Sequence, residues 1–196
     1  MSLHKRRFMK KISNSINLFV ILFIITLSLF ISTFSKVSYA CDDVSGTTTI
    51  SSDCSSDFDI TGSNADITLS AEAAANVNNL LDNKGTNSSL TITTSGSLKS
   101  SGGDYVIRNS YSGKSFDLIS NAGTISGVLR TIYTGRPLTT LINSGTISAS
   151  DSQTIYLSSS PITTFTNSGT ISSVNGNTLL LYEEITTLNN TGTITV

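Results

Sequence analysis

The sequence predicts an all-β fold, a parallel β-helix (solenoid) of about five to six coils with three short strands in each coil. Three observations lead to this prediction. A motif of the form Asn-x-Gly-Thr-Ile recurs at a nearly constant interval, and two further short β-prone segments accompany the copies. No segment of the repeat region is long enough, or has the 3.6-residue period, for an amphipathic helix. A motif repeated at a nearly constant interval of about 20 to 30 residues is typical of solenoids, whose coils bury their apolar side by stacking on one another.

The recurring motif lies at residues 121–126, 143–148, 167–172 and 190–195, with a less regular copy at 94–98. Its glycines, at positions 96, 123, 145, 169 and 192, are separated by 27, 22, 24 and 23 residues. An apolar-Thr-Thr-apolar segment precedes three copies, at 138–141, 162–165 and 185–188. The third β-prone segment follows about ten residues after a glycine, at 131–133, 154–157 and 178–182. Three strands in a coil of about 23 residues predict a parallel β-helix.

Each residue type of the motif has an expected role. Alternation along a strand points the isoleucine inward and the flanking Thr and Ser outward. We expect the glycine to supply a positive-φ turn. The asparagine tolerates a left-handed conformation and can bond its own backbone. Stacked asparagines can also form an amide ladder. The predicted structural positions are Asn121, Gly123, Ile125, Asn143, Gly145, Ile147, Asn167, Gly169, Ile171, Asn190, Gly192 and Ile194.

Residues 1–40 have the layout of a secretory signal peptide. A cluster of Lys and Arg lies within residues 5–11, an almost wholly apolar segment follows at 18–31, and small residues precede a cleavage site after Ala40. An uncleaved membrane anchor is one alternative, although the apolar segment is short for the roughly 20 residues that a span needs. A lipoprotein with Cys41 lipidated is another, although Ser38 stands where such signals usually have Leu.

Removal of the signal leaves an acidic chain without histidine. The full sequence has 12 Lys and Arg and 13 Asp and Glu. Six of the cations lie in residues 1–40 and all the acids follow them, so residues 41–196 have a formal charge of 6 − 13 = −7. This charge argues against nucleic acid or an anionic membrane as a partner. We do not expect the mature domain to be embedded in a membrane.

The two cysteines, Cys41 and Cys54, both lie in the exported part, where an oxidising environment favours a disulfide between them. In the chain-entropy model, a disulfide that closes a loop of about 15 residues contributes roughly 3 kcal/mol to the free energy of unfolding. We therefore predict an N-terminal cap and first coil at residues 41–65, held by this bridge, and β-helix repeats at 66–196. The alanine-rich residues 71–75 are predicted to form a single helical turn on a corner.

Familiar catalytic patterns are missing from residues 41–196. Without histidine, neither a His-based nucleophile nor a zinc site with His ligands can form. No glycine precedes a predicted helix, as a phosphate-binding loop requires, and no Gly-x-Ser-x-Gly elbow occurs. No catalytic, cofactor-binding or metal-binding residue is therefore predicted. Polysaccharide-degrading β-helix enzymes use clustered Asp with Arg or Lys, and the residues available for such a site are Asp117, Arg130, Arg136, Asp151, Glu183 and Glu184.

Two exposed columns are expected on the solenoid. Tyr133, Tyr156 and Tyr182 follow an aliphatic residue in the third strand, and Tyr105 lies near the same place one coil earlier. If the aliphatic residue points inward, these rings point outward, where they either contact a sugar or a protein or shield neighbouring strands. The second column has Thr-x-Ser in three coils and Thr-x-Thr in the last. Such an array resembles the flat faces of ice-binding solenoids, although serine lacks the methyl groups that those faces use.

The basic N-terminal signal, the early cysteine pair and the four evenly spaced Asn-x-Gly-Thr-Ile copies resemble the passenger domains of autotransporters, the type V secretion proteins of Gram-negative bacteria. The resemblance covers roughly residues 41–196 and is strongest from Phe116 onward. It implies a right-handed parallel β-helix that is exported through the inner membrane and lies at the cell surface, on the outer membrane, or is released. It implies adhesion or self-association, with host or cell-surface glycans or proteins as partners, and no shared catalytic residues.

The family's C-terminal β-barrel translocator is missing from this chain, and residues 193–196 begin a coil whose third strand does not follow. We therefore expect the 196 residues to be the N-terminal part of a longer passenger, or else to associate end to end. The sequence favours a non-enzymatic adhesive or self-associating coil first. An ice- or surface-binding solenoid comes second, and a polysaccharide-degrading enzyme third.

Overall fold

Short β-strands joined by tight turns make up the described part of the chain, residues 40–196 of the computed structural model. Within it there are 19 strands and no helix, hence none that is long and apolar enough to cross a membrane. The predicted signal peptide, apart from Ala40, lies outside the described residues. The strands are β1 Thr48–Ile50, β2 Phe58–Ile60, β3 Asp66–Leu69, β4 Glu72–Ala75, β5 Asn79–Asn83, β6 Ser88–Ile92, β7 Ser97–Ser100, β8 Tyr105–Asn109, β9 Phe116–Asn121, β10 Thr124–Gly127, β11 Arg130–Thr134, β12 Leu138–Asn143, β13 Thr146–Ala149, β14 Ile155–Leu157, β15 Ile162–Asn167, β16 Thr170–Ser173, β17 Leu179–Leu181, β18 Ile185–Asn190 and β19 Thr193–Thr195.

These strands form three parallel sheets that run along the solenoid. Sheet 1 has the order β4-β7-β10-β13-β16-β19, sheet 2 the order β2-β5-β8-β11-β14-β17, and sheet 3 the order β1-β3-β6-β9-β12-β15-β18. From β4 onward the chain visits sheet 1, sheet 2 and sheet 3 in turn, and each full circuit adds one strand to each sheet. The predicted parallel β-helix of about six coils, with three strands per coil, is confirmed.

Apolar side chains from successive coils stack into columns inside the solenoid. Ile125 pairs with Leu98 of the coil before it and with Ile147 of the coil after it, and Ile147 pairs with Ile171. These residues are fully buried, whereas Ile194 in the last coil is half-buried. Burying one such side chain contributes roughly 1.5–3 kcal/mol. Because only neighbouring coils cover it, this stabilisation depends on the stacking of each coil on the next.

The alanine-rich segment is not helical, and the predicted helical turn at residues 71–75 is wrong. Glu72–Ala75 is strand β4, which pairs in parallel with β7, and Ala73 is fully buried opposite Leu98. Alanine favours a helix by only a few tenths of a kcal/mol per residue. Parallel backbone pairing with β7 and burial of Ala73 against the next coil outweigh that preference.

The motif glycines are needed for close packing between coils and not for a positive-φ turn, so the predicted turn is wrong. Among the glycines of the described chain, only Gly113 has a positive φ, of 71°. A Cβ atom on Gly123 would lie 2.1 Å from the carbonyl oxygen of Gly96, and one on Gly145 would lie 2.1 Å from that of Gly123. Gly169 and Gly192 repeat this approach to the glycine one coil earlier. A column of glycines therefore lets successive backbones approach at these turns.

The motif asparagines form a buried amide ladder. The Nδ2 group of Asn121 donates to Oδ1 of Asn143 (2.8 Å), Asn143 donates to Asn167 (2.8 Å), and Asn167 donates to Asn190 (2.7 Å). The first three are at most 1% exposed, at the ends of β9, β12 and β15. None of the four adopts the left-handed conformation that asparagine tolerates, since positive φ among the described non-glycine residues occurs only at Asn64 and Asn87. The expected bond to their own backbone is present, as from Nδ2 of Asn121 to the carbonyl of Gly123 (3.4 Å). The ladder ties each coil to the next.

Replacing an asparagine in the middle of this ladder should reduce the free energy of unfolding more than replacing the last one. In the Asn143→Leu protein, the Asn121 amide loses its side-chain acceptor and Oδ1 of Asn167 loses its donor, so we expect a loss of about 3 kcal/mol in the free energy of unfolding. The matched change Asn190→Leu acts on the exposed last member, where water can replace the lost bonds, and should cost less than about 1 kcal/mol. Urea unfolding of both proteins measures the difference, and equal losses would contradict the ladder's role.

A disulfide joins Cys41 to Cys54 across the first coil, with their Cα atoms 5.4 Å apart. Cys54 is buried and forms a parallel bridge with Ala73 of the next coil, and the two cysteines help line a groove of about 590 Å³. The bridge therefore fixes the first coil of the described residues 40–196, at the end of the three sheets.

Reduction of this bridge should loosen the first coil and leave the later coils folded. The cysteines of protein purified without reductant should react with a thiol reagent only after reduction, and the Cys41→Ser/Cys54→Ser protein should lose roughly 3 kcal/mol of stability. Hydrogen exchange should then speed up in β1 and β2 and stay unchanged in β13–β16. Two reactive thiols before reduction would refute the prediction.

Candidate interaction surface on sheet 2

Four tyrosines form a continuous column on the outer face of sheet 2, which we call the tyrosine column: Tyr105, Tyr133, Tyr156 and Tyr182. The centroids of successive rings are 4.8, 5.3 and 5.9 Å apart, and the angles between their planes are 29°, 50° and 57°. The rings thus open away from one another toward the C-terminal end of the solenoid. The first three rings are half-buried and Tyr182 is 68% exposed.

Strand register accounts for only part of this column. Tyr133 pairs directly with Tyr156, because both occupy the same outward position of β11 and β14. Tyr182 lies just after β17, whose Leu180 is the residue in register with Tyr156. Tyr105 is in register with Arg130 and reaches Tyr133 diagonally. Because each ring packs against the next, the tyrosines shield the strands beneath them and remain partly exposed to solvent.

Arg130 lies within the tyrosine column. Its guanidinium carbon is 5.4 Å from the ring centroid of Tyr105 and 5.7 Å from that of Tyr156, within the range of cation–π attraction. Its Nε donates to Oε1 of Gln153 (3.1 Å), and its Nη1 donates to the hydroxyl of Tyr105 (3.2 Å). Two rings and one amide therefore hold a cationic group at the surface.

The N-terminal half of the same sheet face has an ion-paired cluster around Tyr111. Arg108 donates to both carboxylate oxygens of Asp82, and Lys84 forms an ion pair with Asp59. Hydrogen bonding to Asp82 raises the pKa of Arg108, and hydrogen bonding to Asp59 raises the pKa of Lys84. Both cations lie over the Tyr111 ring, 5.2 and 5.6 Å from its centroid. In this cluster every cation has its own carboxylate.

Removing Arg108 should destabilise the protein because it leaves a charge without its partner. Asp82 is only 8% exposed, so the Arg108→Met protein should lose about 3 kcal/mol of stability. The double variant Asp82→Asn/Arg108→Met should regain more than half of that loss, since the carboxylate is gone. Urea denaturation at neutral pH measures both proteins, and a single variant as stable as the parent would contradict the argument.

The exposed pair of Lys99 and Glu72 provides the matched control. Their side chains are 45% and 42% exposed, so Lys99→Met should cost less than about 1 kcal/mol. The hydrogen bond from Lys99 lowers the pKa of Glu72 below its ordinary value. This small contribution is therefore present above the ordinary glutamate pKa of about 4.3 and is lost as the pH falls through the lowered value.

Hydroxyl groups form two aligned columns on the outer face of sheet 1. The residues before the buried isoleucines pair in register, and so do the residues after them. Their spacing along the solenoid is that of neighbouring strands, roughly 4.8 Å. The two columns are Thr124, Thr146, Thr170 and Thr193 in the first, and Ser126, Ser148, Ser172 and Thr195 in the second.

The six residues considered for an enzymatic site lie on different parts of the solenoid. Asp117 is on β9 of sheet 3, Arg130 is on β11 of sheet 2, and Asp151 is in a turn where it accepts a hydrogen bond from Asn175. The other three lie in turns next to sheet 2: Arg136, Glu183 and Glu184. Among residues 40–196, no hydrogen bond or ion pair joins two of the six, and no group of three or more His, Cys, Asp or Glu could hold a metal ion.

The sequence did not predict two sets of contacts near sheet 2. The role of Gln153 beside Arg130 depends on how a turn folds back, for which the sequence contains no signal. By contrast, the sequence does repeat a threonine at the start of each third segment, and these buried threonines form contacts between coils. Thr131 donates to the carbonyl of Ser148, and Thr154 donates to that of Ser172, both at 2.6 Å. Aligning the third segments would have shown this column.

Comparison with known proteins returned nothing: no family model matches the chain, and no curated protein or solved structure matches it.

Proposed function

We propose that the protein is an exported, non-enzymatic surface protein that acts in adhesion or self-association, of the same type as the passenger domains of autotransporters. The observation that carries the proposal is the repetition of outward-facing side chains from coil to coil, namely the tyrosine column on sheet 2 and the in-register hydroxyl columns on sheet 1. A solenoid that repeats one group in every coil can contact a repetitive partner at several points at once. Several weak contacts of this kind add up to useful affinity.

Export is supported by two properties of the chain. A disulfide between Cys41 and Cys54 persists in an oxidising compartment and is rare in the cytosol. The layout of residues 1–40 resembles a secretory signal, and the acidic, hydroxyl-rich remainder suits a surface exposed to solvent. The four Asn-x-Gly-Thr-Ile copies favour the passenger type among exported solenoids.

The proposal is tested by producing the full sequence in a Gram-negative host. We expect the protein to leave the cytoplasm without residues 1–40, and cells or beads that display it to adhere to host-cell surfaces or to one another. The Ile147→Asp protein, which should not fold, is the negative control for non-specific stickiness. Protein that stays in the cytoplasm, or that gives no adhesion or aggregation above this control, would contradict the proposal. Release of reducing ends from polysaccharides would instead support the enzymatic alternative.

A second candidate function, binding to ice or another crystalline surface, is favoured by the hydroxyl columns of sheet 1. Their members stay in register over four coils, and such regularity suits a lattice. Three of the four coils have serine in the second column, which lacks the methyl group of threonine. If this function is the true one, the protein shows thermal hysteresis, and replacing Ser126, Ser148 and Ser172 with threonine increases it. Freezing behaviour equal to that of an unrelated protein of the same size excludes this function.

A further inference from the structure

We propose that Arg130 and the tyrosine column form a binding site for a carboxylate-bearing sugar, such as the acidic end group of a cell-surface oligosaccharide. This inference rests on the proposed adhesive function and names the ligand class for one of its surfaces. The acidic group binds the guanidinium, and the neutral sugar next to it lies along the rings of Tyr156 and Tyr182.

Of the two arginines on the strands of sheet 2 within residues 40–196, Arg108 has a carboxylate partner and Arg130 does not. Lys84 and Arg108, on the same face, are each paired with an aspartate. Arg130 instead has the neutral amide of Gln153, and within residues 40–196 it forms no ion pair. A guanidinium has five N–H donors, and the described protein groups use Nε and one donor of Nη1. The remaining donors on Nη1 and Nη2 can bind both oxygens of a carboxylate.

The guanidinium is also held in place before a ligand arrives. The rings of Tyr105 and Tyr156 both lie against it, and hydrogen bonds to Gln153 and to the Tyr105 hydroxyl fix its orientation. A preorganised arginine loses less side-chain freedom on binding than a mobile one. This arrangement separates Arg130 from an ordinary surface arginine.

The shape of the column indicates where the rest of the sugar lies. The rings of Tyr105 and Tyr133 are nearly stacked, whereas Tyr156 and Tyr182 are tilted by 57° with centroids 5.9 Å apart. Tyr182 is also the most exposed ring of the four. Ring surface is therefore open on the C-terminal side of Arg130, where the apolar C–H groups of a pyranose can pack.

Charge restricts the ligand to one acidic group. Residues 137–196 include three acids, Asp151, Glu183 and Glu184, and no Lys or Arg. Two of these acids directly follow Tyr182, so a polymer with a charge on every sugar would meet repulsion as it extended along the column. A single carboxylate next to a neutral sugar meets the cation and avoids the glutamates. The surface thus favours an acidic end group over a densely charged polyanion such as heparin.

Two probes that differ by one acidic sugar, sialyllactose and lactose, test the site. The protein recovered after expression of the full sequence is titrated with each, and tyrosine ring signals are followed by NMR. We expect sialyllactose to shift the signals of Tyr156 and Tyr182, to leave Tyr111 unchanged, and to bind about tenfold more tightly than lactose. Equal binding of the two sugars, or shifts confined to Tyr111, would overturn the proposal. Heparin that binds more tightly than sialyllactose would overturn it too.

The matched variants are Arg130→Gln and Arg136→Gln, two arginines six residues apart in the sequence. Arg136 lies in the turn after β11, outside the tyrosine column, and its Nε donates to the carbonyl of Ser110. Arg130→Gln should weaken sialyllactose binding about tenfold, to the level of lactose, while Arg136→Gln should not change it. A thermal melt like that of the parent shows that each variant is folded. Unchanged binding by the Arg130→Gln protein would refute the site.

The outcomes for this site and for the adhesive function can be separated. If the protein adheres or aggregates but binds no sialyllactose, the site is refuted and the adhesive function stands. If it binds sialyllactose through Arg130 but mediates neither adhesion nor aggregation, the site stands and the adhesive function is refuted.

Discussion

The Ile147→Asp protein should fail to form a folded solenoid at ordinary temperature. Ile147 is fully buried between Ile125 and Ile171 of the two neighbouring coils. A carboxylate in that column has no partner and no access to water, so it costs several kcal/mol whether it stays charged or takes up a proton. Losing the apolar contacts of the isoleucine adds roughly 2 kcal/mol or more. Together these losses are comparable to the whole stability of an ordinary domain.

The matched control is Ile142→Asp, five residues earlier in the same coil. Ile142 is 37% exposed on the outer face of sheet 3, so its replacement should cost less than about 1 kcal/mol. Far-UV circular dichroism during heating distinguishes the two proteins, since only Ile147→Asp should lack a cooperative strand-to-coil transition. If both variants melt like the parent, Ile147 does not face the interior, and the register is wrong by one residue.

The sequence could predict the inward columns because they follow from local geometry repeated at a fixed period. Alternation within one strand places Ile125, Ile147 and Ile171 on the same side, and parallel stacking then brings them together. The alanine-rich β4 shows the limit of local reasoning. Its own preference indicates a helix, whereas its neighbours in sheet 1 decide that it is a strand.

The candidate site was predictable only where it repeats. Tyr133 and Tyr156 occupy equivalent positions, so their neighbourhood could be inferred from alignment of the coils. Arg130 occupies the position that Tyr105 has one coil earlier, and its contacts with Tyr156 and Gln153 depend on side-chain conformation and on the path of a turn. These contacts occur once and are not repeated in other coils, so the periodicity of the sequence cannot predict them.

Replacing a motif glycine should also cause a large loss of stability. Glycine is required at these positions, as the sequence predicts, but the reason is close packing between coils and not a positive-φ turn. If glycine supplied a positive-φ turn, alanine at position 145 would be strained by its own backbone. The structure instead places the missing Cβ 2.1 Å from the carbonyl oxygen of Gly123 and 2.8 Å from that of Ala122. The same Gly123 carbonyl accepts a hydrogen bond from the amide of Thr146 (2.9 Å). An added methyl group therefore pushes directly on backbone that holds two coils together.

We accordingly expect Gly145→Ala to cost about 3 kcal/mol or more, because neither colliding partner is a side chain that can rotate away. Gly46→Ala is the matched control: nothing lies within 4 Å of its Cβ position and its φ is not positive, so it should be neutral or slightly stabilising through the unfolded state. Urea unfolding of both proteins, with hydrogen exchange at Thr146 and Ser144, locates the damage. Equal stability of the two variants would mean that the coils can separate at this turn without cost, and the glycine column would then have no role in stacking.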